Sequence, residues 1–312
     1  MGVSPAAPST GVRALRASAF GSAVFAFALV VWGGIVRING AGMTCPDWPR
    51  CRGAWFPALN DSVFYEWTHR LGAPILTLLV LGTVVLAWRS RRELPAAYRA
   101  SWVSFGLLVA QVLVGALTIK FANSPPSVAA HLALGIGTFV SLLVIGLLAG
   151  EASGAKAPAL QGGQLSPAQL SFARLALVAG LFAFVAIIAG GYMSAAGAGI
   201  ACTEFPFCHG WSGPVTSAEQ VHMAHRLAAY ATIAAVLIVL VAATNSKVRS
   251  RAVVGTAWIA AILVVIQALL GALTVMTRLE PALRSLHQAN GALLVAALVV
   301  LAYFAYTRAG QT

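Results

Sequence analysis

Eight apolar runs of about 20 residues dominate this chain, and each is long enough to cross the hydrocarbon core of a bilayer as one α-helix. A helix is favoured there because it makes all of its backbone hydrogen bonds within its own segment. We expect spans at residues 15–36, 66–88, 101–120, 127–149, 172–193, 222–243, 252–274 and 283–306. The first run is too long and too bulky for a cleaved signal peptide. The pattern therefore predicts an all-α integral membrane protein with eight transmembrane helices.

The composition excludes the common soluble classes. Of the 312 residues, 59% are hydrophobic and 9% are charged, whereas soluble domains carry about 25% charged residues. The net charge of +12 would suit a nucleic-acid partner only if the charges formed one basic face. They lie instead in short clusters between apolar runs. We therefore expect membrane lipid around the chain and no nucleic acid.

Lys and Arg divide unevenly between the two sides of the membrane. Twelve of the 20 fall on the side that holds both termini: Arg13, Arg16, Arg89, Arg91, Arg92, Arg99, Lys156, Arg174, Lys247, Arg249, Arg251 and Arg308. Eight fall on the other: Arg37, Arg50, Arg52, Arg70, Lys120, Arg226, Arg278 and Arg284. Because cytoplasmic loops are enriched in these residues, we predict that both termini are cytoplasmic.

Two cysteine pairs then lie on the outer side, where disulfides persist. Cys45 and Cys51 form one Cys-x5-Cys pair, and Cys202 and Cys208 form the other, each with a proline inside. Closing so small a loop stabilises it by roughly 2–2.5 kcal/mol. We predict two disulfides, and a redox-active role for the first pair stays open.

The two halves of the chain repeat each other at an offset of 156 or 157 residues. Cys, His, Gln and Pro positions match, which shared apolar composition does not explain. The matches include Gly33 with Gly190, Cys45 with Cys202, Pro49 with Pro206, Cys51 with Cys208, His69 with His225, Gln111 with Gln267, and His131 with His287. Each half has four spans, so both enter the membrane in the same orientation. We predict two tandem four-helix bundles, residues 1–150 and 171–312, joined by a flexible cytoplasmic linker at 151–170.

Four of the six histidines are paired by this repeat, and each lies about one turn inside the outer end of an apolar helix. They are His69, His131, His225 and His287. Two imidazoles at equal depth on parallel helices suit the axial ligands of one haem iron in each half. Helix-end histidines satisfied by backbone or water are the alternative, but ionisable groups in membrane spans usually serve function. A zinc or copper site is weaker, because two ligands per half are too few for a closed zinc site.

The remaining histidines break the symmetry. His222 stands three residues before His225, where the first half has Glu66 before His69. Residues at i and i+3 share a helix face, so we expect Glu66 to face the same cavity as His69 and to move protons or steer a substrate group. A solvated acid at a helix start is the alternative. His209, in the second outer loop, is expected at the surface.

Two further repeated pairs lie near the histidines. Arg70 and Arg226 directly follow His69 and His225, and could bind haem propionates or extend to the membrane interface. Gln111 and Gln267 precede small residues at i+4 and i+7, which predicts a close helix contact with a buried hydrogen bond.

Together these residues resemble the heme A synthase family over essentially the whole chain. The resemblance is carried by Glu66-x-x-His69-Arg70, His131, Cys45, Cys51, Cys202, Cys208, His225-Arg226 and His287. It implies a cytoplasmic-membrane oxidoreductase that converts heme O to heme A for cytochrome oxidase. In this family the C8 methyl group is oxidised to formyl by successive hydroxylations, with oxygen from water.

The resemblance also implies a role for each half. His69 and His131 would flank the substrate haem, with Glu66 as the catalytic carboxylate. His225 and His287 would hold a haem b cofactor that relays electrons. Whether a histidine leaves the substrate iron or the ring edge reacts stays open. Implied partners are heme O, heme O synthase, cytochrome oxidase assembly factors and a second copy of the chain.

Two other functions remain as alternatives. One is a di-haem b electron carrier or quinol oxidoreductase without haem modification. The other is a transporter, which only the repeat supports. The presence of Glu66 in one half alone favours the enzyme over a simple electron carrier.

Overall fold

A computed structural model describes residues 9–151, 166–210, 212–245 and 248–307. Within these ranges the chain forms eight α-helices: α1 (Thr10–Ile38), α2 (Asp61–Arg89), α3 (Pro95–Lys120), α4 (Pro125–Glu151), α5 (Pro167–Ala195), α6 (Ser217–Asn245), α7 (Arg251–Met276) and α8 (Pro281–Thr307). All eight are long and apolar enough to cross a membrane. The predicted all-α fold and its eight spans are confirmed.

The helices extend past the predicted spans by up to six residues, and polar side chains cap several of their starts. The side chain of Asn60 accepts a hydrogen bond from the backbone N–H of Val63 at the start of α2. Ser166 and Gln169 form a capping box at the start of α5. Helix α5 therefore begins at Pro167, inside the predicted linker. Residues 152–165 of that linker lie outside the described residues, as do Lys156, Lys247 and Arg308.

Each half is a closed ring of four helices. In the first half α1 packs on α2 and α4, and α3 packs on α2 and α4; in the second half α5 packs on α6 and α8, and α7 packs on α6 and α8. The two rings meet where α1 contacts α8, α4 contacts α5, and α4 contacts α8. The helices nearest the repeat axis are thus α1, α4, α5 and α8.

Repeat-equivalent residues meet at this interface, as a two-fold relation between the halves requires. At the end nearer the disulfide loops, Arg37 Nη1 donates to Ser194 Oγ at 2.6 Å, and these residues are equivalent at the 157-residue offset. At the opposite end, Tyr303 donates to the carbonyl of Leu147 at 2.9 Å, and these are equivalent at the 156-residue offset. The axis therefore runs between both contacts, roughly along the helices.

Close packing of α1 on α4 depends on a glycine. A β-carbon at Gly146 would lie 2.9 Å from two ring carbons of Phe20, closer than real β-carbons come to other atoms. A β-carbon at Gly137, on the same helix, would meet Leu107 at an ordinary 3.7 Å. We expect Gly146→Ala to lower the free energy of unfolding by about 1–3 kcal/mol through overpacking.

Gly137→Ala is the matched control, and should be neutral or slightly stabilising because alanine favours helix. Thermal unfolding of both variants in the same detergent gives the comparison. Equal melting temperatures for the two variants would contradict the packing argument.

Candidate functional site

The four paired histidines form one tier near the N-terminal ends of α2, α4, α6 and α8, on the side of the disulfide loops. In the first half the rings of His69 and His131 are 6.5 Å apart between centroids and inclined by 80°. In the second half His225 and His287 are 6.3 Å apart and inclined by 77°. The structure thus brings together both pairs that the repeat predicts.

A glycine on a neighbouring helix makes room for each imidazole. A β-carbon at Gly33 would lie 2.8 Å from Cε1 of His69, and one at Gly190 would lie 2.9 Å from Cε1 of His225. The equivalent distances are 2.8 Å from Gly115 to His131 and 3.1 Å from Gly271 to His287. The repeated glycines therefore let the histidine-bearing helices approach their neighbours with the rings between them.

Gln111 and Gln267 make the buried contact that their spacing predicts. In each half the glutamine Nε2 lies 3.3 Å from the histidine Nε2, in the pairs Gln111–His131 and Gln267–His287. An amide N–H donates only to a nitrogen that carries a lone pair. The contact therefore places the amide at the lone pair of an unprotonated Nε2, and a metal bound at that nitrogen would take the place of the amide.

The donor set fits an iron held between two imidazoles. Metal–imidazole nitrogen bonds of about 2 Å place two opposed rings about 6 Å apart between centres, close to both observed separations. Nδ1 of His69, His131 and His287 is buried without a hydrogen-bond partner, so this nitrogen in each ring makes no hydrogen bond to protein atoms. Among the described residues, no three His, Cys, Asp or Glu side chains cluster as a closed non-haem metal site would require. Two ligands per half suit axial ligation of haem.

The two tiers differ in how firmly their rings are anchored. In the second half, Nδ1 of His225 lies 3.0 Å from the carbonyl oxygen of Ala186, to which it can donate. Asn290 donates to Oε1 of Gln267 at 2.7 Å and to the carbonyl of Leu263 at 2.9 Å. In the second half, His225 and the glutamine beside His287 are therefore each held by a further hydrogen bond.

The first half lacks both anchors. Leu134 occupies the position equivalent to Asn290, and Oε1 of Gln111 is buried without a partner. Nδ1 of His69 also has no partner. Hydrogen bonds of this kind orient metal ligands and raise their affinity, so the second-half site is the more tightly organised.

Glu66 is buried, and three donors hold its carboxyl group. Thr44 donates from Oγ1 at 2.9 Å and the backbone N–H of Cys45 donates at 2.8 Å, both to Oε2. Arg70 forms an ion pair with Oε1 at 2.5 Å. Glu66 lies about one turn before His69 on α2, at the junction between the histidine tier and the disulfide loop.

The equivalent position in the second half keeps the loop contact without the acid. His222 is buried, and its Nδ1 lies 3.0 Å from the carbonyl oxygen of Ala198 and 3.4 Å from the backbone N of Cys202. Ala201 stands where the first half has Thr44. The pair of Thr44 and Glu66 is thus replaced as a unit, which leaves one half with a buried carboxyl group and the other without.

Both predicted disulfides, Cys45–Cys51 and Cys202–Cys208, are present. Asp47 orders the first loop, since its carboxylate accepts the backbone N–H groups of Gly53 at 2.8 Å and Arg52 at 2.5 Å. These hydrogen bonds, that of Gly53 foremost, lower the pKa of Asp47 below its ordinary value. His209 is exposed, as expected, and lies 3.1 Å from Glu219.

Arg70 and Arg226 hold these loops in place. Arg70 donates to the carbonyls of Asp47 at 2.5 Å, Arg50 at 2.7 Å and Cys45. Arg226 donates in the same way to Glu204 and Cys202, both at 2.6 Å. The predicted propionate contact of these arginines stays a prediction, and the guanidinium groups are already engaged with loop carbonyls.

A second pair of arginines is not predicted as functional from the sequence. Arg37 and Arg284 both donate to Ser194 Oγ, at 2.6 and 3.1 Å, where the two halves meet. The charge pattern identifies them only as cations on one side of the membrane. Their positions carried a signal, because Arg37 is equivalent to Ser194 in the repeat and Arg284 precedes His287 by one helical turn.

A model of the cytochrome oxidase assembly protein family matches residues 16–63 and 60–299. The chain belongs to this family. Heme A synthase of Bacillus licheniformis is 28% identical over 257 residues, which cover 81% of this chain and 83% of that protein. Heme A synthase of Geobacillus kaustophilus is 28% identical over 279 residues, which cover 86% of this chain and 84% of that protein.

A partial likeness links the chain to another enzyme. Protoheme IX farnesyltransferase of Halobacterium salinarum is 38% identical over 136 residues, which cover 43% of this chain and 28% of that protein. The similarity to the farnesyltransferase thus covers less than half of this chain.

The two loop arginines should differ in their effect on stability. Arg70→Gln leaves the buried carboxyl group of Glu66 without its cation, which we expect to cost about 3–5 kcal/mol. Arg226→Gln leaves loop carbonyls with fewer donors and no unpaired acid, since His222 replaces Glu66, and we expect about 1–3 kcal/mol. Melting temperatures of both variants in one detergent test this. An Arg226 variant as unstable as the Arg70 variant would argue against an ion-pair contribution.

Proposed function

We propose that this chain is a heme A synthase that oxidises the C8 methyl group of heme O to formyl, with the substrate between His69 and His131. Two imidazole pairs at equal depth, with a buried carboxyl group in one half alone, carry the proposal. Membership of the cytochrome oxidase assembly protein family and the likeness to heme A synthases over four fifths of the chain support it. We place the protein in the cytoplasmic membrane with both termini inside, on the distribution of Lys and Arg.

Each half then has its own task. His225 and His287 would hold haem b, which when bound supplies one-electron redox chemistry. The anchors from Ala186 and Asn290 suit a resident cofactor that has to stay. The weaker support around the first pair suits a haem that enters as substrate and leaves as product.

Glu66 would handle protons in the substrate half. Hydroxylating a methyl group with water as oxygen source releases protons and electrons, so the site needs a proton acceptor and an electron acceptor. The Glu66 carboxyl lies on the face of α2 that carries His69, and its hydrogen bonds from Thr44 and Cys45 fix its position. A general base in reach of the reacting group contributes typically about 10²–10⁴-fold to a rate.

The neighbouring step in haem processing is also implied. A protoheme IX farnesyltransferase shares a segment with this family, and the two reactions are expected to be consecutive. We propose that heme O synthase delivers the substrate laterally within the membrane. Contacts with cytochrome oxidase assembly factors, and pairing with a second copy of the chain, are part of the same proposal.

Haem extraction from cells that produce heme O tests the activity. Cells with this protein should accumulate heme A, and cells with Glu66→Gln should make about 100-fold less or none, because glutamine keeps the shape but loses the base. Glu204→Gln, an exposed acid in the second loop, is the control and should keep full activity. A folded, haem-loaded protein without heme A formation would favour the di-haem electron carrier.

The rate at which haem b dissociates tests whether Asn290 helps to hold it in the second half. Asn290→Leu copies the first half and removes the hydrogen bond to Gln267, so we expect haem b to dissociate about 10–100-fold faster. Leu134→Asn gives Gln111 the missing partner and should slow dissociation from the first half. Transfer of haem to apomyoglobin, followed by absorbance, measures both rates. His225→Ala should abolish the haem b spectrum, and unchanged rates in the other two variants would refute the anchoring argument.

A further inference from the structure

Two guanidinium groups meet at the outer end of the interface between the halves. Nη1 of Arg37 and Nη2 of Arg284 lie 2.6 and 3.1 Å from the same oxygen, Ser194 Oγ. The two cations are therefore within about 6 Å of each other, where like charges repel. Three helices, α1, α5 and α8, bring these half-buried side chains together.

Neither arginine is neutralised by a carboxylate. In the described ranges the ion pairs are Arg70–Glu66 and His209–Glu219. Glu280, the acid nearest to Arg284 in sequence, instead caps α8 by accepting the backbone N–H of Leu283 at 2.7 Å. Positive charge is thus concentrated where α1, α5 and α8 converge, and a bound anion would offset the repulsion.

Ser194 completes an anion-binding arrangement. A hydroxyl oxygen has two lone pairs, and here both face arginine donors, so its own hydrogen is available to donate. Each guanidinium presents further N–H groups in a planar fork that suits a carboxylate or phosphate. Arg37, Arg284 and Ser194 together offer hydrogen-bond donors for an anion from three helices.

The arrangement lies beside the second histidine pair. Arg284 precedes His287 by three residues on α8, about 4.5 Å along the axis and on the same face. Ser194 follows Gly190, the glycine under His225, by four residues. In the first half Val128 stands where Arg284 stands in the second. Arg284 and Ser194 thus lie one turn outside the second tier, and the repeat gives the first tier no copy of Arg284.

We propose that Arg37, Arg284 and Ser194 form a carboxylate site that binds a propionate of the haem held by His225 and His287. This inference rests on the proposed function, because it requires haem in the second half. A haem wedged between those rings carries its two carboxylates on one edge, and that edge is most stable towards the polar outer side. Arg37 belongs to the first half, so the site ties a residue of one half to the cofactor of the other.

The site has two consequences for the cofactor. It adds charge-assisted hydrogen bonds to the axial ligation, and each such bond contributes about tenfold to retention. It also neutralises carboxylate charge near the iron, which favours the reduced haem. Loss of both cations should therefore release haem faster and lower its reduction potential.

Esterified haem separates this site from other roles of the arginines. In a His69→Ala/His131→Ala background, so that only the second tier binds, the full-length protein is depleted of haem and reloaded with protohaem or its dimethyl ester. The parent should bind the ester about tenfold or more weakly than protohaem. Arg37→Gln/Arg284→Gln should bind both alike and show a lower potential with protohaem. Arg284→Lys, which keeps the charge, should lie between.

Arg278→Gln removes an exposed arginine on the same side and should behave as the parent. If the double variant still discriminates between protohaem and its ester as the parent does, the proposal is wrong. If native mass spectrometry shows that the variant loses a bound phospholipid while ester discrimination is unchanged, the anion is a lipid phosphate. Should the double variant fail to fold, the parent's own preference decides, because equal binding of protohaem and ester overturns the proposal. Heme A formation is assayed separately in the protein that keeps His69 and His131, so a parent that discriminates, together with no heme A from that protein, refutes the proposed activity alone.

Discussion

The contact of an imidazole with a glycine on the neighbouring helix is the feature on which the rest of the structure depends. At Gly33 and Gly115, and at their equivalents Gly190 and Gly271, any side chain would occupy the space of a histidine ring. The glycines let α2 and α4, and α6 and α8, present their rings to each other at about 6 Å between centres. In a membrane, where polar groups need partners inside the protein, the buried Nδ1 atoms of His69, His131 and His287 are left without one.

Duplication supplied two such tiers, and a few substitutions made them different. The first half has Thr44 and Glu66 where the second has Ala201 and His222, so one half carries a buried carboxyl group. The second half has Asn290 where the first has Leu134, so Gln267 has a partner for its amide oxygen that Gln111 lacks. A symmetric scaffold thereby provides one loosely supported reactive site and one firmly supported cofactor site. The proposed division between substrate and cofactor follows from this difference.

The arginines show that the place of a residue in the chain does not by itself decide which groups its side chain contacts. Arg70 and Arg226 follow histidines in the chain, but their donors reach the carbonyls of the disulfide loops. Arg37 and Arg284 are far apart in the chain, and meet because the repeat axis passes between Arg37 and Ser194. Arg70 and Arg226 donate to loop carbonyls, whereas no carboxylate among the described residues neutralises Arg37 and Arg284. The same residue type thus serves loop structure in one place and, as we propose, cofactor binding in another.

The sequence by itself determined the eight helices, the duplication, the two disulfides and the pairing of His69 with His131 and of His225 with His287. These follow from hydropathy, an offset of half the chain and ligand chemistry, all of which are local or periodic. Only the tertiary structure decided which atoms the polar side chains contact. The convergence of Arg37, Ser194 and Arg284, and the tie from Asn290 to Gln267, join helices whose relative rotation is set by packing at glycines. Hydropathy does not encode that rotation, because all faces of these helices are apolar.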